Sequence, residues 1–330
     1  MTTKTKLLYT VLVCLLLAQP ARAEPIAATR AALANSLQRG QFRSFDGVTI
    51  ATAMMAKGTE DHAVVIVPGL GEGTYKYYPL MWEFFQQGVA AYAFDPRGQG
   101  DSDKNSTVLQ LAHVDSMEEY VKDLGGFTNL VKLGTEHKQY LLLAHSTGAL
   151  TASLFLLRNP KAYDKAAFTA PLYGLQTGSL PEWLVLGLMK MLCFVDTCES
   201  FAPGSGLFDP AADLFEKNDL THNKERFLDW RRTQVKNPQY IVGGPSRGWV
   251  KSVIEGYNKV KKQAAQLQIP LLILRAGKDN YVTNPPQKAV CDRAANCRLV
   301  TYDDSFHEIL QELPEVRDDA LAQIRRHFGL

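Results

Sequence analysis

Gln139-Tyr140-Leu141-Leu142-Leu143 is an apolar run of strand length, and it leads through Ala144-His145-Ser146-Thr147-Gly148 into a helical pattern over 149–158. A strand, a tight turn and a helix, with a serine at the apex, is the arrangement that lifts a hydroxyl clear of the backbone as a nucleophile. Such a turn strains the serine, so the residues two before and two after it must be small. Here they are Ala144 and Gly148. Short matches of this kind arise often by chance. The pentapeptide acquires meaning only if the rest of the chain supplies a base, an acid and donors for an oxyanion.

Working outward, Ala63-Val64-Val65-Ile66-Val67 is unbroken and apolar and stops at Pro68-Gly69. Runs like this read as parallel strands covered on both faces. Strand-like segments at 89–94, 140–144, 166–170, 270–275 and 298–302 alternate with helix-like ones at 80–87, 117–133 and 315–328. Upstream, Gln41-Phe42-Arg43-Ser44-Phe45 and Val48-Thr49-Ile50-Ala51-Thr52 flank Asp46-Gly47, a hairpin signal. The pattern predicts an α/β fold built on a doubly wound, mostly parallel sheet. Between 171 and 268 the alternation stops. That stretch holds the apolar run 183–192, the loop Pro203-Gly204-Ser205-Gly206, the charged segment 224–236 and Gly243-Gly244-Pro245. It reads as a helical cap (171–268) inserted between two parts of the sheet domain (24–170 and 269–330). An apolar helix is ordinarily core. In a cap it can also present Leu and Met to an apolar substrate, or lie against a membrane surface.

The chain has 330 residues, 46% of them hydrophobic, with a formal net charge of +2. That suffices for a large core and gives no support for nucleic-acid binding. Composition leaves the oligomeric state open. Lys4 and Lys6, the apolar stretch 7–18 and Ala21-Arg22-Ala23 form a secretory signal peptide over residues 1–23, with cleavage expected before Glu24. The expected location is therefore periplasmic or secreted. Removing Cys14 with the signal leaves Cys193, Cys198, Cys291 and Cys297. In an oxidising compartment they are expected as the local disulfides Cys193–Cys198 and Cys291–Cys297 rather than as a zinc site.

A serine hydroxyl needs a base, and the base needs an orienting acid. Downstream of Ser146 stand His222, His307 and His327. His327 falls near the end of the last helix and His222 in the polar cap. His307 follows the last strand directly, where the base is expected. The strand at 270–275 runs into Gly277-Lys278-Asp279-Asn280, which places Asp279 at a carboxyl end facing the His307 loop. Asp303 and Asp304 are the alternatives, too near His307 in sequence to reach its far nitrogen comfortably. Oxyanion donors are expected from the backbone N–H of Thr147 and, in the glycine-rich loop Pro68-Gly69-Leu70-Gly71-Glu72-Gly73, from that of Leu70. No Lys-Ser/Thr follows these glycines, so they are not a phosphate loop. Nothing in the set calls for a metal or an organic cofactor.

Pro68-Gly69-Leu70-Gly71-Glu72, the stretch Asp95-Pro96-Arg97-Gly98-Gln99-Gly100-Asp101-Ser102, Ala144–Gly148, Gly277–Val282 and Phe306-His307-Glu308-Ile309-Leu310-Gln311-Glu312 together resemble the bacterial lysophospholipase and monoacylglycerol lipase family of α/β-hydrolases. In the cap, Leu220-Thr221-His222-Asn223-Lys224-Glu225-Arg226 and Val242-Gly243-Gly244-Pro245 resemble its lysophospholipase branch. The resemblance spans residues 42–328. It implies Ser146 as nucleophile, His307 as base, Asp279 as acid, and Leu70 and Thr147 as oxyanion donors, acting on a lipid ester with one acyl chain. The chain departs from the family in having Pro68 where histidine is common and Ala144 where glycine is. The segment Asp95–Ser102 reads as structural. A peptidase or acyltransferase with the same three residues, and a non-catalytic lipid-binding protein, are the alternative readings.

Overall fold

The computed structural model describes residues 35–330; the expected signal peptide lies outside the described residues. The chain runs β1 (Gln38–Arg43), β2 (Thr49–Met55), β3 (His62–Val67), α1 (Thr74–Gln86), β4 (Val89–Phe94), α2 (Met117–Gly134), β5 (Gln139–His145), α3 (Thr147–Leu156) and β6 (Lys165–Thr169). Then follow α4 (Glu182–Val195), α5 (Lys224–Lys236), α6 (Arg247–Gln263), β7 (Leu271–Ala276), α7 (Asn284–Arg293), β8 (Cys297–Tyr302) and α8 (Pro314–Phe328). The strands form one 8-stranded sheet in the order β1-β2-β4-β3-β5-β6-β7-β8. β1 and β2 pair antiparallel, as do β2 and β4, and every other pairing is parallel.

Alternation along each strand divides the core between the two faces of the sheet. Val65, Val67 and Leu142 face α2, α3 and α6. Val64, Ile66, Leu141 and Leu143 face α1 and α8. This two-sided burial is why the central strands carry unbroken apolar runs. Of residues 171–268, α6 packs Trp249, Val253, Ile254, Tyr257 and Val260 into the first of these cores. It thereby closes the crossover from β6 to β7, while α4 lies against it from outside.

α1 begins at Thr74, six residues before the helical pattern of the sequence. Its N-cap, Gly73, offers no side-chain acceptor. The cap comes from across the fold: the buried Asp95 carboxylate accepts from Thr74 N at 2.5 Å. No local pattern could have signalled a cap 21 residues away. α2, by contrast, starts where its sequence predicts, at a capping box made by Ser116 and Glu119.

Arg97 staples the hairpin to this frame. Its buried guanidinium forks onto Asp123 (2.7 and 2.8 Å) and also meets Asp46 at 2.7 Å and Glu119 at 2.9 Å. Breaking a buried pair on one side strands the other charge, at about 3–5 kcal/mol. Asp123→Ala should therefore lower stability by about that amount in urea unfolding, whereas Asp46→Ala, at the solvent side, should cost no more than about 1 kcal/mol. Equal losses from the two variants would refute the staple.

Candidate active site

The candidate residues gather at the carboxyl ends of β3, β5, β7 and β8, the edge where ligands bind in open parallel sheets. Ser146 follows β5 with φ +50° and ψ −118°, a conformation rare outside glycine. Backbone bonds hold it there: Ser146 N donates to Thr169 O at 3.0 Å, and Leu172 N donates to Ser146 O at 3.1 Å. Gly148 is dictated by space, since a Cβ there would stand 2.3 Å from Val67 O and 2.5 Å from Pro68 O. Ala144 lies buried in the core beneath α3, where its methyl is ordinary packing.

His307 Nε2 lies 3.0 Å from Ser146 Oγ, and its Nδ1 lies 2.6 Å from Asp279 Oδ2. The carboxylate fixes the tautomer: Nδ1–H donates to Asp279, leaving Nε2 to accept from the serine hydroxyl. Asp279 Oδ1 accepts from Tyr281 N (2.8 Å) and Val282 N (3.0 Å), so the loop's own amides aim its carboxylate at His307. All three side chains are at least nine-tenths buried. The other candidates lie elsewhere. Asp304 pairs with Lys278 on the surface, His327 ends α8 near Pro270 O, and His222 bonds Glu312.

The glycine-rich loop after β3 is held on both sides of Leu70. Gly69 N donates to Glu72 Oε2 at 2.5 Å, Gly69 O accepts from Gln99 Nε2 at 3.1 Å, and Gly71 N donates to Gln99 Oε1. Among the described residues, neither Leu70 N nor Thr147 N, the first amide of α3, has an acceptor. Both residues line one small cavity of about 10 Å³, beside Gly69 and Gly148. Two amides without acceptors on the loops flanking Ser146 are available to donate to an oxygen that gains charge.

Beside Ser146, His307 and Asp279 lies a charged group that the sequence did not reveal. Lys76 Nζ bonds both Glu72 and Glu308, the latter at 2.5 Å, and all three are buried. His145 Nε2 faces the same carboxylates at 3.6–3.8 Å, and its ring centroid lies 4.8 Å from that of His307. Burial alone would raise the Glu308 pKa, but Lys76 and His145 hold it well below the usual carboxylate range. Burial would likewise lower that of His145, but Glu308 and Glu72 carry it upward. Glu72, His145 and Glu308 could in principle ligate a cation. The Lys76 ammonium already fills that role. Gln99 and Glu72 stand in glycine-rich stretches of the sequence, where nothing local distinguishes a loop-holding side chain from a turn residue.

Residues 219–222 seat directly on the loops that carry Asp279 and His307. Glu308 N donates to Leu220 O at 2.9 Å, Tyr281 O–H donates to Asp219 at 2.6 Å, and the buried Glu312 accepts from both His222 N and Phe306 N. One disulfide, Cys193–Cys198, ties the end of α4 to the next loop, and the other, Cys291–Cys297, joins α7 to β8.

The family profile described as "Serine aminopeptidase, S33" matches residues 58–314. A probable lysophospholipase L2 from Haemophilus influenzae is 32% identical over 270 residues, covering 80% of this chain and 82% of its own length. Lysophospholipase L2 from Escherichia coli K12 is 30% identical over 298 residues, 88% of this chain and 86% of the relative. Among solved structures, a monoacylglycerol lipase from Paleococcus ferrophilus superposes with a TM-score of 0.64 at 21% identity, over 89% of this chain and 98% of that one. A soluble variant of the Saccharomyces cerevisiae monoglyceride lipase, with a substrate analog, gives 0.68 at 16% identity over 89% and 94%.

The depressed Glu308 pKa has a sign that can be checked. Stability from a carboxylate held below its unfolded value is present above that value, 4.5, and is lost as pH falls through the folded one. Wild-type stability should thus fall more steeply below pH 4.5 than that of Glu308→Gln. Parallel denaturation curves across that window would contradict the assignment.

Proposed function

This chain belongs to the α/β-hydrolase family of serine ester hydrolases that includes lysophospholipase L2 and the monoacylglycerol lipases, and on that footing we propose that it cleaves the carboxylic ester of single-acyl-chain lipids, lysophospholipids or monoacylglycerols. The unbroken hydrogen-bond chain from Asp279 through His307 to Ser146 carries the reading.

His307 Nε2 takes the hydroxyl proton as Ser146 Oγ attacks the ester carbonyl. The Leu70 and Thr147 amides donate to the oxyanion. Asp279 steadies the imidazolium, which then protonates the departing glycerol-side alcohol. The fatty acyl group remains on Ser146 until a water, deprotonated by His307, attacks it. Collapse of that second intermediate releases the fatty acid and returns the proton to serine.

The matched profile's description also favours a peptidase reading with the same residues. Product identity separates the two. The wild-type protein should release free fatty acid from lysophospholipids or monoacylglycerols and no amino acid from peptide amides. Ser146→Ala should lose at least about 10³-fold of that rate and all fluorophosphonate labelling. α4 exposes Trp183 (73%) and Phe194 (90%), a face suited to the surface that carries such lipids. Vesicle-borne substrate should therefore be turned over faster than dispersed substrate, and Phe194→Ser should remove the difference. Ester turnover by Ser146→Ala within tenfold of wild type would end the proposal.

The same proposal includes export. The 1–23 signal and the two disulfides support it, because such bonds persist in oxidising compartments. Intact-mass measurement of the protein from its native host should find a chain that starts at Glu24 and is lighter than the fully reduced form by the four hydrogen atoms lost in forming two disulfides. A retained N-terminus would overturn the export reading.

A further inference from the structure

Among the buried groups that the acyl-transfer steps leave unused is the ammonium of Lys76, between the carboxylates of Glu72 and Glu308. Removing three charges from water is costly, and an apolar trio of equal volume would often serve stability as well. What the charges provide is geometry. Glu308 is the residue after His307, so its carboxylate belongs to the base loop. Glu72 closes the glycine-rich loop, and its other oxygen accepts from Gly69 N at 2.5 Å and from Tyr77 O–H at 2.7 Å. Lys76 therefore joins the loop bearing Leu70 to the loop bearing His307 through two charged hydrogen bonds in a buried setting.

The cap covers this junction. Trp230 of α5 lays its ring over Lys76 Nζ at 4.0 Å, and its indole N–H donates to Tyr75 O–H at 3.2 Å. Neither contact reaches Ser146, His307 or the cavity beside Leu70.

We propose that Lys76 is a positioning residue: its bridge from Glu72 to Glu308 sets the Leu70 amide in register with His307, and Trp230 of the seated cap keeps that bridge free of water. The inference rests on the reading of Ser146 as nucleophile and Leu70 as oxyanion donor. Tilting Leu70 N–H away from the oxyanion costs the transition state and not the ground state. The loss should accordingly fall on kcat and spare KM.

The test uses the whole chain with a monoacylglycerol substrate and four variants: Lys76→Met, Lys76→Arg, Trp230→Leu and Ser146→Ala. Lys76→Met should lower kcat by about 10²-fold, the scale of one lost oxyanion donor, with KM within about threefold. Lys76→Arg, which keeps a cation that can span both carboxylates, should recover most of kcat. Trp230→Leu should lower kcat by about tenfold with KM little changed, as the bridge becomes wet. It decides the matter if Lys76→Met does not fold. Wild-type kcat in Lys76→Met, or in Trp230→Leu should Lys76→Met not fold, would overturn the inference, as would a loss confined to KM. If Ser146→Ala instead retains the rate, the nucleophile reading fails and this inference falls with it.

Discussion

The start of α3 presses so closely on the end of β3 that no Cβ fits at position 148, where Val67 O and Pro68 O would stand 2.3 and 2.5 Å away. That one approach shapes the rest of the site. It brings Thr147 and the Leu70 loop together around the same small cavity. It also requires the turn before it to be tight enough to force Ser146 to φ +50°. Strain of this kind costs about 1–3 kcal/mol and persists only where surroundings over-determine it. Here the surroundings are the neighbouring parallel strands, through the bond from Ser146 N to Thr169 O at 3.0 Å.

Around this apex the protein concentrates polar groups that a core would normally reject. Asp279, His307, His145, Glu72, Lys76 and Glu308 are all buried. Each is tolerated because it has a partner of complementary charge or donor sense. In such a medium the hydrogen bonds are directional and strong, which lets a few side chains fix loops that carry little secondary structure. Gln99 and Glu72 hold the peptides on either side of Leu70 and leave its N–H free.

The insertion between β6 and β7 does two separate jobs. α6 completes the core of the sheet, while residues 219–220 rest on the loops that carry Asp279 and His307. α4 then stands over α6 with large apolar side chains turned to solvent. A helix with this composition is stable in such a place because one face is packed and its end is tied by Cys193–Cys198.

The sequence alone determined the α/β architecture, because strands buried on both faces must be continuously apolar, as residues 63–67 and 141–144 are. It also singled out Ser146, Asp279 and His307, since strand ends and turn chemistry are local signals, and the structure brings these three together. Tertiary structure decided what depends on groups distant in sequence. Asp95 starts α1 from across the sheet. Lys76 meets Glu308 across 232 positions, and His145 comes to lie beside His307. A side chain's period can reveal which face of an element it occupies. The partner it finds there is fixed only when the sheet closes and excludes water, for burial is what makes those charges choose each other.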